Sequence, residues 1–395
     1  MNMPELKIGH HTSRLPIIQG GMGVGISMSG LASAVANAGG IGVIAGAMVG
    51  IAEKDVSTDG VAANCRALTR EIRKAKEKTN GIIGVNLMVA LTHFAELVKT
   101  AIAEKADLIF AGAGLPMDLP AFLKKGDRTG LVPIISSGRA AALICKRWFQ
   151  RYHYLPAAFV VEGPKAGGHL GFKPDQLDNP TFCLENLVQD VLDELRPIEA
   201  AHGVRIPVIA AGGVYDGADI RRFLEMGASG VQMGTRFVAT YECDADERFK
   251  QAYVDAQKED LMVIKSPVGL PGRALRNTFL EDVASGVRRA FKCPYHCVKT
   301  CDPKTSPYCI GMALAMAQQG KLKNGFAFAG ANAHRVDKIV SVKELMKELE
   351  TGYAMAAPWS HKNPAKQDLL LNVKPNALGP FDATPSNSTP VQAII

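Results

Sequence analysis

Short apolar runs, rich in β-branched residues, recur along the first 240 residues of the chain. Runs of this kind are typical of parallel strands that are buried on both faces of a sheet. Eight of them lie at residues 15–19, 40–45, 82–87, 106–111, 131–136, 157–162, 206–211 and 229–234. Most begin about 25 residues after the previous one, with longer gaps after the second and the sixth.

Segments with helical periodicity occupy the gaps between these runs. They lie at residues 29–38, 62–78, 94–104, 139–151, 184–202 and 217–226. A strand followed by a helix, repeated at this spacing, predicts an α/β protein with a (β/α)8 TIM barrel. The alternative is an open doubly wound sheet with a Gly-x-Gly-x-x-Gly turn and an acidic residue about 20 positions later. Gly21, Gly23 and Gly25 match only half of that turn, and no acidic residue lies near position 45, so the barrel is favoured.

The pattern changes after the eighth run. Charged residues with helical periodicity fill 241–260, prolines and glycines form a predicted loop at 265–273, and helical periodicity returns at 277–291 and 310–319. A last amphipathic helix is predicted at 341–350, with Ser341 as its cap and Glu344 three residues later. We therefore predict a barrel at 1–240, a helical lid at 241–292, a four-cysteine segment at 293–320, a return to the barrel at 321–356 and a loose tail at 357–395.

Composition narrows the class of protein. Hydrophobic residues make up 47% and charged residues 21% of the 395 residues, which is typical of a soluble globular enzyme and excludes a disordered or collagen-like chain. No apolar run is long enough for a bilayer, and the first one comes too late for a signal peptide. We therefore expect a cytoplasmic protein without a membrane partner.

The charge balance says little about a macromolecular partner. The chain carries 45 basic and 38 acidic residues, a formal net charge of +7. No nucleic-acid-binding motif accompanies this excess, so no nucleic-acid partner is predicted. A modest positive charge also fits an anionic cofactor or substrate.

The chemistry of such a barrel belongs to the loops at the carboxyl ends of its strands. Gly212 and Gly213 follow the seventh predicted strand, and Gly234 and Thr235 follow the eighth. Glycines in these two loops let backbone N–H groups approach a phosphate. Small residues at the end of the first strand allow a flat ring to lie against the backbone. A flavin mononucleotide (FMN), with one phosphate and one large ring, fits both features.

His169 is the candidate catalytic residue. It lies in the loop after the sixth predicted strand, and Gly167 and Gly168 precede it. An imidazole changes its protonation state readily near neutral pH, as proton transfer beside a flavin requires. The two glycines leave the backbone free to orient the ring.

Five motifs together resemble one family in order and spacing. They are LPIIQGGM at 15–22, GVN at 84–86, EGPKAGGH at 162–169, PVIAAGG at 207–213 and GTRF at 234–237. The sequence resembles the nitronate monooxygenase (2-nitropropane dioxygenase) family, which includes the flavin-dependent enoyl-acyl-carrier-protein reductase II enzymes. The resemblance covers about residues 13–240, and a weaker similarity lies in the glycine turn at 329–332.

The resemblance implies a TIM barrel that binds FMN non-covalently under a small helical lid. It implies that Gly20, Gly21 and Met22 back the isoalloxazine ring and that Asn86 forms a hydrogen bond with it. Gly212, Gly213, Gly234 and Thr235 would hold the phosphate. The active-site histidine of the family matches His169, which would handle the α-proton of a nitroalkane or polarise an enoyl thioester.

Four of the eight cysteines form a cluster outside the family pattern. Cys293, Cys297, Cys301 and Cys309 are spaced C-x3-C-x3-C-x7-C, while the other four are scattered. One helical turn or a tight loop would present the first three thiols together. A [4Fe–4S] cluster is favoured, with zinc or free thiols as the alternatives. His296 is an alternative ligand.

Four functions follow from these features. The first is FMN-dependent oxidation of alkyl nitronates with dioxygen. The second is NAD(P)H-dependent reduction of an activated double bond, such as that of an enoyl thioester, with an iron–sulfur cluster assisting electron transfer. The others are a flavin and iron–sulfur redox sensor or electron carrier, and a flavin-free lyase or isomerase. We expect a small-molecule or acyl-thioester substrate, an electron-donor protein for the reductive chemistry, and a homodimer. Arg273 is expected at the surface.

Overall fold

The core of the molecule is a closed barrel of parallel strands, seen in a computed structural model that describes residues 2–359. The strands in this range are β1 (Leu6–Ile8), β2 (His11–Ser13), β3 (Ile17–Gln19), β4 (Gly42–Ala45), β5 (Ile83–Met88), β6 (Leu108–Gly112), β7 (Gly130–Ile135), β8 (Phe159–Glu162), β9 (Gly168–His169), β10 (Val208–Ala211), β11 (Gly230–Met233), β12 (Leu261–Lys265) and β13 (Pro271–Leu275). Among the described residues an eight-stranded sheet runs in the order β3-β11-β10-β8-β7-β6-β5-β4. Hydrogen bonds that Ile41 makes with Ile17 and Gln19 close it between β3 and β4. The TIM barrel is confirmed, at the eight predicted strands.

Helices surround the barrel in the order that the sequence predicts. Those in the described range are α1 (Ser29–Asn37), α2 (Gly60–Lys78), α3 (Phe94–Ala103), α4 (Gly138–Tyr152), α5 (Leu184–His202), α6 (Gly217–Glu225), α7 (Thr235–Val238), α8 (Glu247–Val254), α9 (Thr278–Ala284), α10 (Ile310–Gln318) and α11 (Val342–Met355). The capping box of α11 is present, because the Ser341 side chain accepts from the Glu344 backbone at 3.1 Å and the Glu344 carboxylate accepts from Ser341 at 2.8 Å.

The amino-terminal hairpin closes one end of the barrel. Strands β1 and β2 pair antiparallel, and Leu6 and Ile8 are buried in the same apolar cluster as the barrel residues Val43 and Phe110. Leu6 lies beside Gly230, the first residue of β11, so this plug sits at the amino ends of the strands. The carboxyl ends are left for a ligand.

The segment after the barrel differs from the predicted helical lid. Strands β12 and β13 form an antiparallel hairpin, and β9 of the barrel loop adds a third strand to it. The prediction of a loop at 265–273 is therefore wrong at both ends of the segment, which belong to β12 and β13. Only the middle of the segment is a turn. Helices α8 and α9 are also shorter than the periodicity predicts. The lid is a small sheet flanked by short helices.

Most of the predicted tail at 357–395 lies outside the described residues, which end at 359. Within residues 2–359, no helix has both the length and the apolar character needed to cross a membrane.

Candidate active site

A cavity of about 310 Å³ opens at the carboxyl ends of the barrel strands. Its volume lies in the range of about 300–1,000 Å³ that small-molecule sites occupy. The predicted cofactor and catalytic residues all line it, namely Gly20, Gly21, Met22, Asn86, Gly167, Gly168, His169, Gly212, Gly213, Gly234 and Thr235. The fold therefore brings together residues that are up to 215 positions apart in sequence, from Gly20 to Thr235.

The wall at the end of β3 is built by close packing of backbone. A Cβ atom on Gly21 would lie 2.3 Å from the Cβ atom of Asn86, so no larger residue fits there without moving β5. The backbone N–H of Met22 donates to Ser27 Oγ at 2.8 Å, which fixes the chain as it leaves the strand. This part of the cavity can accept a flat ring beside the Asn86 side chain.

The loops after β10 and β11 present backbone donors. In residues 2–359, the N–H groups of Gly213, Gly234 and Thr235 have no hydrogen-bond acceptor. Gly213 has a φ of +114°, a conformation that other residues rarely adopt. Unpaired N–H groups at the edge of a cavity favour an anionic ligand.

A segment from after the barrel completes these loops. Asn332 Nδ2 donates to the Gly213 carbonyl at 2.7 Å, and the Gly330 N–H donates to Thr235 Oγ1 at 3.2 Å. Gly330 and Asn332 line the cavity but were not among the predicted site residues. The glycine turn at 329–332 was the signal in the sequence.

Lys165 is a second residue that the sequence did not single out. It lines the cavity, and a Cβ atom on Gly213 would lie 3.0 Å from its Cβ atom. None of the ion pairs found in the described residues includes its ammonium group. A lysine in the lining of a cavity that also contains three unpaired N–H groups suits a phosphate. The ring wall and this anion site together fit FMN.

His169 lies on β9, which pairs with β13 of the hairpin. Its Nε2 atom is 2.8 Å from Ser266 Oγ, and its ring meets the Phe328 ring edge-on at 5.0 Å between centroids. Burial lowers the pKa of the imidazole to about 4, because the charged form is poorly solvated there. His169 is therefore neutral at pH 7.

The sequence predicted Arg273 at the surface, but this prediction is wrong. Its side chain is buried, and Nη1 donates to the carbonyls of Pro164 at 2.6 Å and Ala166 at 2.8 Å. These carbonyls belong to the loop that carries His169. Arg273 thus fastens the hairpin to this loop instead of facing solvent.

Glu162, at the carboxyl end of β8, also lines the cavity. Burial raises the pKa of its carboxyl group to about 7, and no compensating partner opposes this effect. The cavity therefore contains an acid that titrates near neutral pH. The sequence showed the residue at a strand end but gave no sign of its burial.

Glu162→Gln is expected to change how stability depends on pH. In the folded protein the Glu162 carboxyl group keeps its proton up to about pH 7, whereas an ordinary glutamate with a pKa of 4.5 loses its proton at a lower pH. This carboxyl group therefore lowers the free energy of unfolding as pH rises between these two values. The glutamine variant should gain more stability relative to the parent at pH 8 than at pH 4.5, as measured by urea unfolding. Glu77→Gln, at an exposed site, is the control. An equal difference at both pH values would refute the raised pKa.

Residues 293–301 of the four-cysteine segment are irregular backbone and turn, so of the two predicted alternatives the helical turn is wrong. No three His, Cys, Asp or Glu side chains in the described part of the chain are grouped as ligands of one metal ion. Cys297 packs in an apolar cluster with Val24 and Met48, whereas Cys301 packs against the separate cluster around Phe326. These two thiols therefore have different apolar neighbours.

The four thiols nevertheless share one neighbourhood. The pKa of Cys297 is raised to about 12, mainly by burial and also by the nearby thiols of Cys309, Cys293 and Cys301. Val24 and Leu314 pack in the same cluster as Cys297 and also line the cavity. One layer of side chains therefore separates this segment from the candidate site.

Comparison with known proteins gives consistent results. The sequence profile of the family described as nitronate monooxygenase matches residues 4–352. The chain is 30% identical over 273 residues to a Mycobacterium tuberculosis protein, (3aS,4S,5R,7aS)-5-hydroxy-7a-methyl-1-oxo-octahydro-1H-indene-4-carboxyl-CoA dehydrogenase. The match covers 69% of this chain and 66% of that protein, which is just under two thirds of its length. It is 31% identical over 304 residues to nitronate monooxygenase of Pseudomonas aeruginosa, across 68% of this chain and 79% of that protein. The solved structure of FabK from Thermotoga maritima matches with a TM-score of 0.66 and 27% identity, across 93% of this chain and 96% of that chain.

Proposed function

This chain belongs to the nitronate monooxygenase family of oxidoreductases, and from that premise we propose that it binds FMN and oxidises alkyl nitronates with dioxygen. The observation that carries the proposal is one cavity that joins a flat backbone wall, an anion site and a neutral, half-buried histidine. Membership of an oxidoreductase family removes the lyase or isomerase hypothesis.

FMN would occupy the cavity with its ring beside Gly21 and Asn86 and its phosphate at Gly213 and Thr235. The flavin, when bound, supplies the electron-accepting chemistry. The chain itself supplies donors to the phosphate from unpaired backbone N–H groups, and Lys165 adds a positive charge. The hairpin β12–β13 covers the side of the cavity at His169 and limits the access of water.

His169 would bind the reacting group of the substrate. A nitronate is already deprotonated and carries its negative charge on the two nitro oxygens. A neutral imidazole can donate a hydrogen bond to such an oxygen without itself being charged. Placed in a water-poor cavity, a donor of this kind stabilises charge more strongly than it does in water.

A second function is favoured by the relatives. The Mycobacterium tuberculosis protein is named as a carboxyl-CoA dehydrogenase, and a CoA ester of a carboxylic acid is a thioester, so this relative points to a thioester substrate. The same imidazole donor would polarise the carbonyl oxygen of an enoyl thioester during reduction. Electrons would then come from NAD(P)H or a donor protein.

A pair of steady-state assays separates the two functions. The FMN-loaded protein is mixed under air with the nitronate of 2-nitropropane, and nitrite release and dioxygen consumption are measured. In parallel it is mixed without air with crotonyl-CoA and NADH, and NADH oxidation is followed at 340 nm. Nitrite formation without thioester reduction supports nitronate oxidation, and the reverse supports the reductase. A protein that is inactive in both assays, and whose redox behaviour is unchanged in the His169→Asn variant, would instead be a redox sensor or electron carrier.

The four-cysteine segment would hold a [4Fe–4S] cluster, in preference to zinc. Support comes from the proximity of the other three thiols to Cys297, whose pKa they raise. Cys297 and Cys301 would leave their apolar clusters to act as ligands. A one-electron carrier beside the cavity suits the reductive chemistry.

Protein purified without air is expected to contain iron and acid-labile sulfide in equal amounts. Cys297→Ser should lose most of both, because removing one thiolate opens the ligand set. Cys65→Ser, which changes a cysteine of α2, should lose neither. Zinc in place of iron, or metal-free protein with four free thiols, would overturn this assignment.

A further inference from the structure

Ser266 lies next to the candidate catalytic histidine, in the turn that joins β12 to β13. Its side chain is 3% exposed, and its Oγ atom lies 2.8 Å from His169 Nε2. The turn itself is fixed, because the Ser266 N–H donates to the Leu270 carbonyl and the Gly269 N–H donates to the Ser266 carbonyl, each at 3.0 Å. The hydroxyl group is therefore held beside one nitrogen of the imidazole.

The surrounding hydrogen bonds assign the direction of this contact. Ser266 Oγ accepts from the backbone N–H of Val268 at 3.4 Å. Among the described residues, His169 Nε2 is the one acceptor within reach of the hydroxyl hydrogen. The buried hydroxyl hydrogen is paired only if the serine donates it to Nε2, and Nε2 is then unprotonated.

The other ring nitrogen faces a different environment. His169 Nδ1 has no hydrogen-bond partner in residues 2–359. The side-chain atoms in this range that are both buried and without a partner do not include it. It is therefore accessible, and the residue lines the cavity. The imidazole is neutral at pH 7 because of its burial, so a ring with a bare Nε2 carries its single proton on Nδ1.

We propose that Ser266 is a positioning residue that holds neutral His169 in the tautomer with its proton on Nδ1, so that an N–H donor faces the cavity. The chemical class that this donor recognises is an oxygen that carries or develops negative charge, as in a nitronate or a thioester carbonyl. The functional consequence rests on the proposed function, whereas the tautomer itself does not.

Backbone hydrogen bonds explain how the β12–β13 hairpin holds Ser266 beside His169. Leu170 N–H donates to the Pro271 carbonyl at 2.8 Å, and β9 pairs with β13 at His169 and Gly272. The backbone of His169 and the hydroxyl of Ser266 therefore move as one unit. The four-cysteine segment supports the same turn, because Thr300 Oγ1 donates to the Val268 carbonyl at 3.2 Å.

The test is nitrogen NMR of the FMN-loaded protein labelled with ¹⁵N-histidine, recorded at pH 7 without substrate. The His169 signals are assigned by their loss in His169→Asn. In the parent protein we expect a protonated Nδ1 and an unprotonated Nε2. Ser266→Ala should shift the ring toward the Nε2–H tautomer, and Ser266→Thr, which keeps the hydroxyl, should restore the parent pattern.

Kinetics supply a second readout. Losing one hydrogen bond that favours the productive tautomer should lower kcat by about tenfold, with KM changed much less, and threonine should recover most of it. Ser285→Ala, at an exposed site after α9, should match the parent in both measurements. Thermal unfolding shows whether Ser266→Ala remains folded. If this variant does not fold, the proposal is tested by the tautomer of His169 in the parent protein and in Ser266→Thr.

A protonated Nε2 in the parent, or an unchanged tautomer in folded Ser266→Ala, would overturn the proposal. If the tautomer is as expected but His169→Asn retains turnover, the proposed role of His169 fails instead, and the two failures are distinct.

Discussion

His169→Asn is expected to lower turnover on the true substrate by about 10²–10⁴-fold while FMN content stays at that of the parent. Asparagine is close to histidine in size and can still accept the hydrogen bond from Ser266, so the local structure should persist. It cannot titrate, and its amide cannot hold or move a proton as an imidazole does. His169 lies on β9, whereas the unpaired N–H groups of the anion site belong to the loops after β10 and β11, so cofactor binding should be spared.

The measurement is steady-state kinetics on both substrate classes, with flavin quantified by absorbance after release. His153→Asn is the matched control, because His153 is exposed and adopts a φ of +50° at the end of α4, a conformation that asparagine tolerates. It should retain parent activity. Turnover of His169→Asn within a few-fold of the parent would remove His169 from the catalytic site.

Gly213→Val is expected to weaken FMN binding by about 100-fold or more, so that the protein is purified without flavin. A β-branched residue disfavours the φ of +114° that Gly213 adopts, and its Cβ atom would press against the Lys165 side chain at 3.0 Å. Relief of this strain requires the loop to rotate. Rotation turns the unpaired Gly213 N–H away from the anion site and displaces the cation as well.

Isothermal titration with FMN measures the loss, and thermal unfolding shows whether the variant stays folded. Gly126→Val is the matched control, because Gly126 has a φ of +99° in an exposed loop with no atom within 4 Å of an added Cβ. It bears the same backbone strain away from the cavity and should bind FMN normally. A folded Gly213→Val protein with unchanged affinity would show that the phosphate lies elsewhere.

The sequence determined the barrel and most of the cavity on its own. A parallel strand that is buried on both faces must be apolar throughout, so all eight barrel strands were visible as short apolar runs. Because the carboxyl ends of such strands meet at one end of the barrel, the glycines that directly follow the runs at 15–19, 206–211 and 229–234 were assigned to one site, and they all line the cavity. Asn86 and His169 were located by the family motifs that contain them, and both also line the cavity.

Tertiary structure alone decided what surrounds these residues. Prolines and glycines at 265–273 indicated a loop, but β12 and β13 form a hairpin because β9, about 100 positions earlier in the chain, pairs with it. The same long-range packing buries Arg273 and places Ser266 against His169. It also divides Cys297 and Cys301 between two apolar clusters, which their even spacing did not reveal. Burial and partnership depend on contacts between distant segments, and a local pattern of residue types contains no information about them.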